Sequence, residues 1–346
     1  MSNNKSYRHG KWNDIYSSGG ENMGTKVSFI GKIIEIIQIP TAERIESAIV
    51  VCGAGGRWQG CVQKGEFTPG DLCFVFLQDA LLPELPEFEH MRKHKFRVKM
   101  CRFLGTPSEI LITKPFGNVD DVNLGDEITW LNILKYEKPI PINMQGENKG
   151  FFPSFIPKTD EINFQAIPGL IDCIIGKAFY ATLKYDGTSA TFYHNNGEIG
   201  VCSRNLEKKL TSDDVYNLID KKYSITDQLK TLGNFAIQGE IVGPGIQKNH
   251  SGLKSTEIRV FDIYDIDKRE YLPQSKLFAI CEDFKLPPAE IITHAVWTMS
   301  NFEQFRQFAE QSYSNGKPAE GIVVRVQDFD EDKRISFKII NLNYKG

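Results

Sequence analysis

Residues 177–187 read KAFYATLKYDG. Bulky apolar side chains alternate with smaller or polar ones up to Lys184, the pattern of a half-buried strand, and Asp186-Gly187 then supplies a turn. Lys184 therefore leaves a strand into a tight turn, where it is held rigidly and can point into a cleft. Taken alone the letters fit a surface lysine beside an ordinary Asp-Gly turn equally well. The surroundings extend the pattern: TSATFYH, EIGVCS, NFAIQGEIV, EIRVFDIYDI, EGIVVRV and RISFKIIN all read as strands. Helices are expected near 212–232 and 300–312, the second opening on a capping box at Ser300-Asn301-Phe302-Glu303. This half of the chain is α+β.

Upstream, from Val27 to about Trp130, short apolar runs (VSFIGKIIEIIQI, SAIVVC, RWQGCVQ, DLCFVFL, FRVKMCRFL, EILIT) are separated by Gly, Pro and charged turns. Five or six short strands predict a small β-barrel. An OB-like barrel fits, with an SH3-like one open as the alternative. Within it, Arg92, Lys93, Lys95 and Arg97 surround Phe96, the mix of cations and aromatics that tracks a nucleic-acid backbone; a solvated strand face has the same composition. The Pro-rich stretch YEKPIPINMQGENKGFFPSFIPK has neither period and marks a connector. The predicted division is an OB-like domain at 1–135, a linker at 136–158 and an α+β domain at 159–346.

Composition agrees with two domains: 346 residues, 41% hydrophobic and 25% charged, at roughly 150 residues each. No apolar run is long enough for a bilayer span, and the polar opening MSNNKSYRHGKWNDIYSSGG has no signal-peptide core, so no membrane partner and a cytoplasmic address are expected. The seven cysteines form no CxxC pair, which predicts core thiols rather than zinc or disulfides. A net charge of −3 gives no polycation signal, so a polyanion would have to be met by local patches.

After Lys184-Tyr185-Asp186-Gly187 come, in order, Ser203-Arg204-Asn205, Gln238-Gly239-Glu240-Ile241-Val242-Gly243, Val260-Phe261-Asp262-Ile263-Tyr264, Glu320-Gly321-Ile322-Val323-Val324-Arg325 and Ser336-Phe337-Lys338. This ordered set resembles motifs I, Ia, III, IIIa, IV and V of the covalent nucleotidyltransferases, which include DNA ligases, RNA ligases and mRNA capping enzymes. A small barrel ahead of that domain, and little chain beyond Lys338, narrow the resemblance to the ATP-dependent RNA ligases of family five. The fold it implies is an N-terminal OB-like β-barrel followed by a nucleotidyltransferase (ATP-grasp-like ligase) domain of antiparallel sheets with flanking helices.

The resemblance also implies an activity: sealing of 3′-OH/5′-phosphate RNA nicks through lysyl-AMP and an adenylylated 5′ end, with ATP and Mn2+ or Mg2+ as cofactors. Lys184 becomes the nucleophile. Lys338 contacts the α-phosphate and orients the leaving group, while Glu320 holds a hydrated divalent ion. Glu240 meets the ribose hydroxyls or a cation, Phe261 stacks on adenine, and Arg204 reaches a phosphate. Asn205 shapes the turn or the nicked-end site; Asp186 supports the 3′-OH or a metal during sealing; backbone groups at Thr182 and Leu183 select adenine. Ser336 stands where many relatives carry another lysine, and Arg334 is a substitute cation. The implied partner is a nicked RNA duplex, with a DNA strand in one position left open, met by a monomer. Two other activities fit the same residues: a GTP-using capping-type transferase, and a noncatalytic nucleic-acid-binding protein with a decayed ligase domain.

Overall fold

The computed structural model describes residues 26–345 apart from 41, 54, 55, 118, 120, 137–147, 168, 212 and 328–334. Its described residues fall into two compact units, one of 26–136 with 164–173, the other of 148–163, 174–327 and 335–345.

The first unit is built from β1 (Ser28–Gln38), β2 (Ile45–Cys52), β3 (Gly56–Gln63), β4 (Leu72–Phe76), β5 (Ala80–Leu81), β6 (Cys101–Phe103), β7 (Thr106–Ser108), β8 (Leu111–Thr113) and β9 (Leu134–Lys135). Its main sheet has the order β3-β2-β1-β4-β8. β1 serves two partners. Its first half pairs with β4 and its second with β2, with a register shift between Ile33 and Glu35 that bends the strand. Gly31 precedes that bend, and a Cβ there would stand 2.6 Å from the side chains of both Val50 and Val75. The free edge of β3 meets the far end of the sheet: Glu109 N–H donates to the Gln59 carbonyl at 2.8 Å and Cys61 N–H to Ser108 Oγ at 3.0 Å. A nearly closed barrel results, around a core that includes Ile30, Val50, Phe74, Phe76 and Phe88. This is the OB fold rather than the SH3-like alternative.

Two sequence expectations are corrected in this unit. The basic run does not form one strand face, because Pro86–His94 is a 3-10 helix with Lys95 and Phe96 at positive φ behind it. Residues 164–173, placed by sequence beyond the domain boundary, pack with the barrel: Phe164 and Gln165 are buried and the Gln165 amide donates to the Arg57 carbonyl.

The second unit holds β10 (Asn148–Phe151), β11 (Ala178–Lys184), β12 (Thr188–Asn195), β13 (Glu198–Cys202), β14 (Leu206–Lys208), β15 (Phe235–Val242), β16 (Glu257–Asp265), β17 (Glu270–Tyr271), β18 (Ile291–Val296), β19 (Gly321–Val326) and β20 (Ser336–Ile340). One sheet runs β10-β14-β13-β12-β15-β16-β17 and a second runs β18-β11-β19-β20. β10 lies inside the stretch read as a connector, whose residues 137–147 are outside the described ones. It pairs with β14 as the outer strand of the larger sheet.

The odd-numbered residues of β15 (Ile237, Ile241) bury against the helices Val215–Tyr223, Ile225–Leu232 and Gln274–Asp283 through Ile219, Leu229 and Leu277. The second sheet buries Phe179 and Phe337 against Trp297, which also meets Phe305 and Phe308. The helix expected over 212–232 is divided at Ser224, whose φ of 51° ends one helix and starts the next. The capping box is shifted by one residue. Asn301 is the cap, accepting from Gln304 N–H at 3.0 Å, and Gln304 accepts in return from Ser300 N–H at 2.8 Å. The seven cysteines are free, with Cys73, Cys202 and Cys281 buried and Cys101 exposed. Among the described residues no helix is long and apolar enough to cross a membrane.

Candidate active site

Strand alternation gathers the motif residues on the inner faces of the two sheets. On β11 the odd positions face the core, leaving Tyr180, Thr182 and Lys184 on the other face. Antiparallel pairing then sets Lys184 opposite Gly321, Thr182 opposite Val323 and Tyr180 opposite Arg325. β20 adds Lys338 opposite Val323 and Ser336 opposite Arg325. From the larger sheet come the even residues of β15, Gln238 and Glu240, whose odd neighbours occupy the helix-side core.

Lys184 Nζ donates to Glu320 Oε2 at 2.6 Å, with both side chains about a quarter exposed (24% and 23%). Burial pulls the pKa of Lys184 down, but the carboxylates of Glu320 and Glu240 outweigh it and hold the value above that of an ordinary lysine. Burial pushes Glu240 up to about 8, opposed by Lys184 and reinforced by Glu320 and Asp186. Lys338 is lowered, first by burial and then by Lys184, against the pull of Asp160 and Glu320. These groups therefore sense one another's charge. Among the described residues Lys338 makes no salt bridge, which suits a cation waiting for an anionic ligand.

Gly187 explains its own place in the motif. A Cβ there would stand 2.3 Å from the Ile241 carbonyl oxygen and 2.7 Å from Glu240 Cγ, so only glycine lets the turn approach β15 this closely. Phe261 is set by a β-bulge: Gln238 pairs with Asp262 and Gly239 with Val260, leaving Phe261 as the extra residue. The core face of β16 changes parity across it, from Ile258 and Val260 to Ile263. Phe261, Thr182, Tyr180, Ala289 and Ile291 line one narrow cleft.

Several contributors carried no sequence signal. The segment 157–162 runs along the site, each residue tied to a motif strand or turn. The Pro157 carbonyl accepts from Gln238 at 2.7 Å, Lys158 donates to Asn205 Oδ1 at 3.0 Å, and Thr159 and Ser189 share a hydroxyl hydrogen bond. Asp160 pairs with Arg204 at 2.6 Å, Glu161 accepts from Ser336 at 2.7 Å, and the Ile162 carbonyl accepts from Lys338 N–H at 2.8 Å. Tyr313 braces the turn by donating to the Lys184 carbonyl at 3.3 Å and accepting from Asp186 N–H at 3.2 Å. The Tyr344 hydroxyl donates to the Asp186 carboxylate. Prolines and isolated tyrosines have no period, so only the tertiary structure reveals them.

Other expected residues are placed differently. Leu183 points to the opposite side, buried with Tyr185, Val242 and Tyr313, and its N–H is taken by the Glu290 carbonyl at 2.8 Å. Arg334 lies outside the described residues. In the barrel, Arg92 pairs with Glu89 and Glu84 at 2.7 and 3.0 Å, and Arg97 pairs with Asp79 at 2.6 Å while its guanidinium sits 3.9 Å from the Tyr136 ring centroid. Lys93 and Lys95 are exposed and make no salt bridge among the described residues.

The donor set suits a hard, hydrated cation. Glu240 and Glu320 offer carboxylate oxygens beside Lys184, while no group of three or more His, Cys, Asp or Glu side chains is gathered among the described residues. A magnesium- or manganese-type ion held by one or two carboxylates would keep its remaining positions for water and phosphate oxygens.

A strand-borne lysine facing two carboxylates and a second lysine, on paired antiparallel sheets downstream of an OB fold, defines a covalent nucleotidyltransferase of the polynucleotide-ligase type. The comparisons are specific. An RNA ligase family model matches residues 177–340 and an OB-fold domain model matches 27–113. The chain is 30% identical to a Naegleria gruberi RNA ligase variant solved with ATP and Mn, covering 92% of this chain and 96% of that one at a TM-score of 0.76. A second variant with ATP and Mn gives 31% identity, 91% and 97% coverage and a TM-score of 0.78; the same ligase with PPi gives 31%, 91% and 96%, and 0.77. No curated protein matches the chain significantly. The chain belongs to the RNA ligase family.

Proposed function

We propose that this protein is an ATP-dependent RNA ligase that seals 3′-OH/5′-phosphate nicks, with Lys184 as its nucleophile. The observation that carries the proposal is the convergence on Lys184 of Glu320, whose Oε2 lies 2.6 Å from Nζ, with Glu240 and Lys338 also within electrostatic reach of the amine. The neutral Lys184 amine attacks the α-phosphorus of ATP, the bond to pyrophosphate breaks, and AMP remains on Nζ as a phosphoramidate. A 5′-phosphate oxygen of RNA next displaces Lys184 to give an adenylylated 5′ end. A 3′-OH then attacks the phosphorus of the RNA's own 5′-phosphate, the bond from that phosphorus to AMP breaks, AMP leaves, and the phosphodiester is closed.

Each displacement passes through a phosphoryl group with spread negative charge, so positioned cations lower the barrier more than covalent chemistry does. Lys338 and Arg204 meet phosphate oxygens, Arg204 by exchanging Asp160 for the ligand. Glu320 and Glu240 hold a divalent cation, which supplies charge neutralisation at the phosphates. Phe261 presents its ring to adenine, and Asp186 supports the 3′-OH during sealing. Lys93 and Lys95 contact RNA backbone from the barrel, which orients a nicked duplex for a monomeric enzyme.

The test is the intact mass of the protein after incubation with ATP and Mn2+. Added AMP on the wild type and none on Lys184→Ala is expected; an adduct on both would overturn the assignment of the nucleophile. Labelling by GTP but not ATP would move the protein to the capping-type transferases. Salt-sensitive RNA binding with no adduct, and no ATP released by pyrophosphate, would make it a noncatalytic binder.

A further inference from the structure

Arg325 is 3% exposed, yet it faces the cleft side of its sheet instead of the core. Its Nη2 donates to Asp262 Oδ2 at 3.0 Å and its Nη1 to Thr182 Oγ1 at 3.3 Å. Nη2 also lies 3.5 Å from Glu161 Oε1, the oxygen that accepts from Ser336. The guanidinium carbon is 5.9 Å from the ring centroids of both Tyr180 and Phe261. One planar cation thus joins β11, β16, β19 and, through Glu161, β20.

Thr182 lines the narrow cleft, and Asp262 stands next to Phe261, which lines it too. Asp262 directly follows the bulged Phe261, so anchoring its carboxylate fixes the direction in which the bulge presents the Phe261 ring. Thr182 Oγ1 accepts from Arg325, which leaves the hydroxyl proton as the group Thr182 can offer to a ligand. The unprotonated ring nitrogens of adenine are acceptors and match such a donor. Resting on the nucleotide-binding assignment above, we infer that Arg325 is a positioning residue for base recognition: it holds the Thr182 hydroxyl and the Phe261 platform at one separation and does not itself touch the phosphates. Lysine could not replace it, because a point charge lacks the planar fork that reaches Thr182 and Asp262 together.

A purely structural staple between the sheets would have the same contacts, so the test compares a ligand with a base and one without. Displacement of a fluorescent ATP analogue by ATP and by inorganic tripolyphosphate is measured for the full-length wild type, Arg325→Met, Arg325→Lys, Thr182→Val and the Arg325→Met/Thr182→Val double variant. Arg325→Met and Thr182→Val should each weaken ATP about tenfold while tripolyphosphate competes as before, and the double variant should be no worse than either single one. Arg325→Lys should keep a near-wild-type melting temperature and still bind ATP poorly. Equal losses for both competitors, or unchanged ATP affinity in Arg325→Lys and Thr182→Val, would overturn the inference even if Arg325→Met fails to fold. A wild type that binds ATP but forms no lysyl adduct would sink the ligase assignment, while the affinity ratios still decide the role of Arg325. No ATP binding by the wild type would overturn both.

Discussion

Lys184 Nζ and Glu320 Oε2 are 2.6 Å apart, and the pair bears on the charge state of the proposed nucleophile. With Glu320 and Glu240 beside it the amine is held as an ammonium, which cannot attack phosphorus. The rate of AMP transfer under single-turnover conditions should therefore rise with pH, by up to about tenfold per unit through the mildly alkaline range, until the amine is mostly neutral. A flat profile from neutral pH upward would show that binding of ATP and cation already frees the amine.

Glu240 links the same cluster to stability. A carboxyl whose pKa is higher folded than unfolded favours the folded state at low pH, and that advantage disappears as pH climbs from the ordinary 4.5 through about 8. Thermal unfolding should show the wild type weakening across this window. Glu240→Gln should be flatter and melt roughly 2–4 °C higher at its upper end, the shift expected for about 1 kcal/mol in a unit of this size.

Tyr344 touches Asp186 and not Lys184. Removing its hydroxyl should spare the first step and slow the last. For Tyr344→Phe, the AMP-transfer rate should stay within about twofold of wild type, while sealing of a pre-adenylylated nick falls roughly two- to tenfold. Equal slowing of both steps would assign Tyr344 to the whole turn.

Gly187→Ala places a methyl group against the Ile241 carbonyl and the Glu240 side chain. Overpacking against backbone cannot be relieved by a rotamer change. The variant should lose roughly 1–3 kcal/mol in denaturant unfolding and most AMP transfer, since the turn that aims Lys184 must shift.

The barrel cations divide into two kinds. Lys93→Ala/Lys95→Ala should weaken RNA binding and lower the slope of log affinity against log salt by about 1–2, as expected when phosphate contacts are lost. Arg92→Ala should change that slope little, because Glu84 and Glu89 already neutralise the guanidinium. Equal effects would mean that Arg92 leaves its carboxylates for RNA.

The sequence carries the parts of the site that obey a strand period. Lys184, Glu240 and Lys338 stand on strands whose own alternation is unbroken, so their motifs are legible one strand at a time. Phe261 breaks that period by a bulge, and only its place in the ordered motif set marked it. The segment 157–162 straddles the expected boundary, 157–158 closing the connector and 159–162 opening the domain after it, and has no repeat to mark it; its partners are all distant in sequence. Leu183 fits the opposite lesson. Adjacent to the proposed nucleophile, it is expected to meet the base through its backbone, which the strand period does not address; the structure places its side chain in the core and its N–H on the Glu290 carbonyl.

The extra residue at Phe261 also constrains engineering. Deleting one residue from β16 at that point would restore an unbroken ladder and reverse the facing of every side chain on one side of the deletion. A transplant of this site to another scaffold must therefore carry Gln238-Gly239 and Val260-Phe261-Asp262 as a single graft, since the aromatic platform is encoded by a count of residues across two strands as much as by the letter at position 261.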